Sequence, residues 1–130
     1  MEKSLDFVDK PDIRGRTALH YACSSADGDE EIIDVLLSLG DAAVIADDDG
    51  WTPLHSAASS GNAVAVEKLV GQASAATLRR MFRGSARGVS SPVYLAARGG
   101  HAKLVATLVP DTDRQSLDAR LEFVIFIFQF

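Results

Sequence analysis

One heptapeptide, written three times at nearly constant spacing, limits what this chain can become. Thr17-Ala18-Leu19-His20-Tyr21-Ala22-Cys23, Thr52-Pro53-Leu54-His55-Ser56-Ala57-Ala58 and Ser91-Pro92-Val93-Tyr94-Leu95-Ala96-Ala97 align. A second motif follows each: Ile32, Ile33, Leu36, Leu37; then Ala65, Val66, Leu69, Val70; then Leu104, Val105, Leu108, Val109. These sets share the i, i+1, i+4, i+5 spacing that lays one apolar face along an α-helix. Such a chain repeats a supersecondary unit instead of wrapping around a single core.

Each recurring residue type within the repeat has a physical task. Thr17, Thr52 and Ser91 put a hydroxyl where an N-cap is needed, to accept a bond from an unpaired first-turn amide. Pro53 and Pro92 follow at the first helical position, where the missing N–H costs nothing and the fixed φ suits a helix. Ala22, Ala57, Ala58, Ala96 and Ala97 are small enough for a second helix to approach closely. Gly28, Gly61 and Gly100 fall where the chain must reverse between two helices. The unit is a helix hairpin of about 33 residues that cannot bury its own apolar face and must stack on a neighbour.

The pattern D-x-x-G-x-T-P-L-H-x-A-A, with a following G-x-x-x-x-V-x-x-L-L, resembles the ankyrin repeat across about residues 5–110. The resemblance implies an all-α solenoid of about three helix-hairpin repeats, linked by finger-like β-turn loops that project at right angles. It divides an ankyrin-repeat domain over residues 1–110 into a finger at 5–16 and repeats at about 17–49, 50–73 and 89–110. Segments 16–24 and 49–59 are similar to the first repeats of an ankyrin-repeat chaperone that acts on a proteasomal ATPase during proteasome assembly. That local likeness implies an adaptor or assembly-chaperone role with a proteasomal ATPase as partner.

Departures from the repeat are as informative. Thr17 to Thr52 spans 35 residues but Ile32 to Ala65 only 33, so two extra residues fall between the helices of the first repeat. Thr52 to Ser91 spans 39, which inserts about six residues before the third repeat and defines a basic segment at 74–88. There Ser74 can cap a short helix with Leu78, Met81 and Phe82 on one side and Arg79, Arg80 and Arg83 on the other. The charge follows this division: residues 1–75 carry 14 acids and 5 bases, whereas 76–110 carry 6 bases and no acid. After Pro110 the pattern ends in an atypical tail, 111–130, closing with the β-prone apolar run FVIFIFQF, a candidate for self-association.

The net charge of −5 argues against bulk nucleic-acid or membrane-surface binding. The lone Cys23 has no partner for a disulfide or a metal knuckle, which suits a reducing compartment. No N-terminal signal and no run approaching the roughly 20 apolar residues of a membrane span is present, so a cytoplasmic or nuclear location is expected.

No catalytic constellation emerges. His20 and His55 occupy the repeat's own T-x-L-H position and His101 follows a turn glycine, placements that predict structural hydrogen bonds. If Gly50 were the sixth position of a calcium loop, Ile45 and Ser56 would have to be its first and twelfth ligands, and neither can serve. The sequence holds no phosphate loop, nucleophile elbow or zinc-protease pair, so no catalytic site, metal or cofactor is expected.

What remains is a surface. By resemblance, the finger tips and the exposed ends of the first helices form a concave partner-binding face. Its residues are Ile13, Arg14, Arg16, Ser24 and Ser25; then Asp48, Asp49, Trp51, Ser59 and Ser60; then Arg87, Ser90 and Arg98. The basic, acidic, basic banding suits a protein partner of opposite pattern. Trp51 is either a contact anchor or a lid on a neighbouring finger. Arg79, Arg80, Arg83 and Arg87 form either a solvated face or an anion or RNA contact, without the aromatic platform such a site uses. A third alternative is a regulatory fragment of a larger enzyme.

Overall fold

The computed structural model describes residues 9–25, 30–39, 42–74, 76–77, 80–81 and 91–108. Expectations for the finger's first residues, for Gly28, for most of the basic insertion and for the apolar tail lie outside these. Among the described residues are six α-helices: α1 (Ala18–Cys23), α2 (Glu30–Leu39), α3 (Pro53–Ser60), α4 (Ala63–Gln72), α5 (Pro92–Arg98) and α6 (Ala102–Leu108). A 3-10 turn, Ala42–Val44, precedes the second finger.

Helix α1 packs on α2, α3 on α4 and α5 on α6, giving three hairpins. The hairpins stack so that α1, α3 and α5 form one row and α2, α4 and α6 a second. This is the all-α solenoid that the repeat demands. Helices of 6 to 10 residues are too short to persist alone, so their stability comes from the shared core. Leu19, Leu54 and Val93 occupy one repeat position and all are buried. Burying a side chain of this size stabilises by roughly 2 kcal/mol. Ala57, Ala58, Ala96 and Ala97 are buried where α3 meets α5, which is the close approach their size permits.

The caps differ in detail from expectation. At Ser91 the hydroxyl accepts the Tyr94 N–H at 3.2 Å, as a cap should. At Thr17 and Thr52 the hydroxyl instead lies against the ring Nδ1 of His20 and His55, at 3.0 and 2.8 Å. The same nitrogens accept the threonine backbone N–H at 3.0 and 3.2 Å. The imidazole thus does what Glu does in an ordinary capping box. It satisfies a buried amide that would otherwise cost about 1–3 kcal/mol.

Gly61 shows why one reversal needs glycine. Its φ is +80°, and a Cβ there would come within 2.5 Å of the His101 ring. Asn62 then caps α4, its Oδ1 accepting the Ala65 N–H at 3.0 Å.

Two outcomes bear on the periodicity, and only the second departs from it. Ser74 accepts the Thr77 N–H at 3.2 Å, Met81 is buried and Arg80 faces solvent, as the sequence pattern of the insertion predicts for these residues. Ile32, expected on the apolar face with Ile33, is instead 52% exposed. The equivalent Ala65 and Leu104 are buried, and α4 and α6 each pack on the outer helix of the repeat before them. No described helix stands on that side of α2.

Candidate partner-binding surface

The two described fingers are built by one device. Asp12 Oδ1 accepts the backbone N–H groups of Arg14 and Arg16, each at 2.9 Å. Thirty-five residues later, Asp47 Oδ1 accepts those of Asp49 and Trp51, again at 2.9 Å. Each aspartate's own N–H reaches the carbonyl four residues on, at 2.8 Å in both fingers. Gly15 and Gly50 supply the positive φ each turn requires. The fingers are joined side by side through Asp48 N–H to the Arg14 carbonyl, 2.9 Å. That bond brings Ile13 and Arg14 of one tip beside Asp48 and Asp49 of the next, and all four are exposed. Ile13, at 97% exposure, is an apolar side chain held entirely in water.

Arg16 serves mainly the scaffold, although the sequence placed it on the surface. Its Nη2 donates to Ser24 Oγ at 2.7 Å and to Ser56 Oγ at 3.1 Å, and its Nε lies 3.8 Å from Asp47 Oδ2. The guanidinium sits 4.8 Å above the centre of the Tyr21 ring. Tyr21 in turn donates its hydroxyl to Asp12. That bond, with those from the Arg14 and Arg16 amides, holds the Asp12 carboxyl below its ordinary range and raises the Tyr21 phenol. One guanidinium therefore clasps the first finger, α1 and α3 together.

His20 completes this joint. Its Nε2–H donates to the Trp51 carbonyl at 2.8 Å, across the boundary between repeats. With Nδ1 taken by Thr17 N–H, the ring is neutral, and burial lowers its pKa. His55 occupies the same position one repeat later, yet its buried Nε2 has no hydrogen-bond partner among the described residues. Thr52 Oγ1 there donates to the Met81 carbonyl at 3.0 Å. Burial drives the His55 pKa down to about 4. His101 Nε2 lies 3.2 Å from the Ser59 carbonyl. Burial pushes the Cys23 thiol up to about 12, as befits a packing residue.

The other expected contact residues divide. Ser24, Ser25 and Arg98 are exposed, whereas Ser59 and Ser60 are half-buried, and Ser60 Oγ donates to the Cys23 carbonyl at 2.9 Å. Trp51 is half-buried, its ring stacked at 6.5 Å on His55 of its own repeat. Arg79, Arg83, Arg87 and Ser90 lie outside the described residues. The sequence did not single out Asp12, Asp47, Tyr21 and Ser56 as contributors. The signal for the two aspartates was available, since they lie 35 residues apart like the motifs they precede.

On the opposite, convex side Lys68 pairs with Glu30 and Asp34 of the preceding repeat, both at 2.9 Å, which raises its pKa. The groove beside it, about 260 Å³, is shallow and lined by Glu30, Val64, Glu67, Lys68 and Gln72. Among the described residues no three His, Cys, Asp or Glu side chains are grouped to hold a metal ion, and no helix is long and apolar enough to cross a membrane.

A family model for ankyrin repeats, in three copies, matches residues 2–81. The chain is also 32% identical over 96 residues, 73% of its length, to SMC5-SMC6 complex localization factor protein 1 of Bos taurus and of Homo sapiens. It spans 8% of the length of these curated relatives.

Proposed function

Since this chain belongs to the ankyrin-repeat family, we propose that it is a protein-interaction module without catalysis of its own, which grips its partner through the finger tips. The observation that carries this reading is the tied pair of fingers. Ile13 and Arg14 are set beside Asp48 and Asp49 by a backbone bond of 2.9 Å, and all four side chains are exposed. Because the aspartate brackets and the Arg16 clasp already fix the loops, little conformational entropy remains to be lost when a partner docks. Alternating charge along the tips steers encounter and sets register.

The finer reading is an adaptor or assembly chaperone. Its support for a proteasomal ATPase is the local likeness of segments 16–24 and 49–59 to gankyrin. A second candidate follows from the relatives whose name says that they localise the SMC5-SMC6 complex. Capture assays at physiological salt with purified proteasomal ATPases and with purified SMC5-SMC6 complex test both, with a single-stranded RNA as a third probe. Retention of a protein that is lost on Asp48→Lys/Asp49→Lys supports the proposal. Retention of RNA alone, falling steeply with salt, would instead favour the basic insertion around Arg80.

A further inference from the structure

Ser24 combines an acidic stretch downstream in the sequence with an arginine seated on its oxygen. Of the seven residues that follow it, four are acids, Asp27, Asp29, Glu30 and Glu31, and none is a base. Apart from its neighbour Ser25, no serine or threonine of the chain is followed by more than two acids over the same length. The stretch falls where the first repeat is two residues longer between its helices than the second, since Cys23 to Ile32 spans 9 residues and Ala58 to Ala65 spans 7. The equivalent Ser59 is half-buried and followed by no acid over that length.

The fold sets the Ser24 hydroxyl at the surface. Ser24 is exposed and closes α1 as its C-cap. Its Oγ donates to the His20 carbonyl at 2.7 Å and accepts the Arg16 Nη2–H at 2.7 Å. A phosphate at a helix C-terminus would ordinarily be opposed by the helix dipole. Here a guanidinium already stands at the oxygen that would carry it.

We propose that Ser24 Oγ is a phosphorylation site for an acid-directed serine kinase, and that Arg16 receives the phosphate. Acids beyond the acceptor suit a kinase whose substrate cleft is basic, because complementary potentials steer encounter and fix register. The Ser24 oxygen attacks the γ-phosphorus of Mg-bound ATP, the bond to the β-phosphate oxygen breaks, ADP leaves, and the hydroxyl proton passes to the base of the kinase. The product carries about 1.5 to 2 negative charges near pH 7. Charge-assisted bonds from Arg16 to it are about twice as strong as the neutral bond they replace. The guanidinium then favours the phosphate over Ser56 Oγ at 3.1 Å and Asp47 Oδ2 at 3.8 Å. Modification thus loosens the clasp between α1 and α3. This holds whichever partner the finger tips grip.

Incubation of the full chain with Mg-ATP and a purified acid-directed serine kinase, followed by fragmentation mass spectrometry, is expected to place a phosphate on Ser24. Asp27→Asn/Asp29→Asn should slow the transfer about tenfold or more, and Ser25→Ala should leave it in place. Phosphorus NMR tests the arginine. The phosphate of the parent chain should titrate below the value of about 6 for a free phosphoserine, and Arg16→Gln should return it towards that value. No transfer to Ser24, or transfer to Ser25 with Ser24 untouched, overturns the site. A phosphate that titrates in the parent like free phosphoserine overturns the part given to Arg16.

Discussion

The joint between the first and second repeats and the joint between the second and third use equivalent residues and end in different states. At the first, His20 spans the boundary to the Trp51 carbonyl, Arg16 ties α1 to α3, and the Asp48 amide links finger to finger. At the second, helices α3 and α5 pack closely through buried alanines, yet His55 holds out a buried Nε2–H that meets no acceptor among the described residues. Met81, one of the residues between Thr52 and Ser91, is buried there, and its carbonyl takes the Thr52 hydroxyl. Apolar packing tolerates an insertion because it needs only contact; a hydrogen bond needs an acceptor at one place. The second joint is held instead by the His101 ring seated against Gly61 and Gly99.

The largest effect expected from this contrast is on acid stability. The unfolded chain takes a proton at His55 near pH 6.5, while the native chain resists until about 4. Unfolding therefore binds a proton between these values, and stability falls as the pH drops through that window, by up to about 3 kcal/mol. Denaturant unfolding at pH 7 and pH 4.5 measures the loss, which His55→Leu should largely remove. Burial lowers the His20 pKa too, so a smaller slope of the same sign should remain.

Next come the glycines that frame the second joint. Gly61 and Gly100 share a φ near +80°, but a Cβ at Gly61 meets His101 while one at Gly100 meets nothing. Gly61→Ala should cost about 2–3 kcal/mol and Gly100→Ala about 1, the difference reporting the seated imidazole. Equal costs would show that His101 does not latch this joint.

The histidines themselves should separate by less. His20→Leu breaks a made bond to Trp51 and should cost about 2 kcal/mol at pH 7, whereas His55→Leu also removes an orphan donor and should cost about 1. If His55→Leu proves the more damaging, the unpaired Nε2 finds an acceptor in solution. The smallest effect belongs to Lys68→Met at the convex side of the first joint. Its loss should be detectable only at low salt, because the paired carboxylates are exposed.

The sequence made most of the scaffold legible because repetition states the same packing three times. Leu19, Leu54 and Val93, the alanine pairs and the reversal at Gly61 could be placed from spacing alone. The surface was less legible, for reasons particular residues show. Arg16 reads as an exposed cation, but whether it is free depends on Ser24, Ser56 and Tyr21, which come together only when α1 meets α3. Ile32 reads as core because its two counterparts are core; its exposure depends on a neighbour that no periodicity within the repeat specifies. Which acceptor the buried His55 Nε2 meets is likewise a matter of tertiary placement that composition does not encode.

Amide hydrogen exchange of the chain, alone and bound to the protein recovered by capture, addresses the central claim of finger-tip recognition. Slowed exchange at residues 13–15 and 48–50, with the amides of Ala63–Gln72 unchanged, is the predicted result. Protection confined to α4 and the convex groove, with the finger amides untouched, would contradict it.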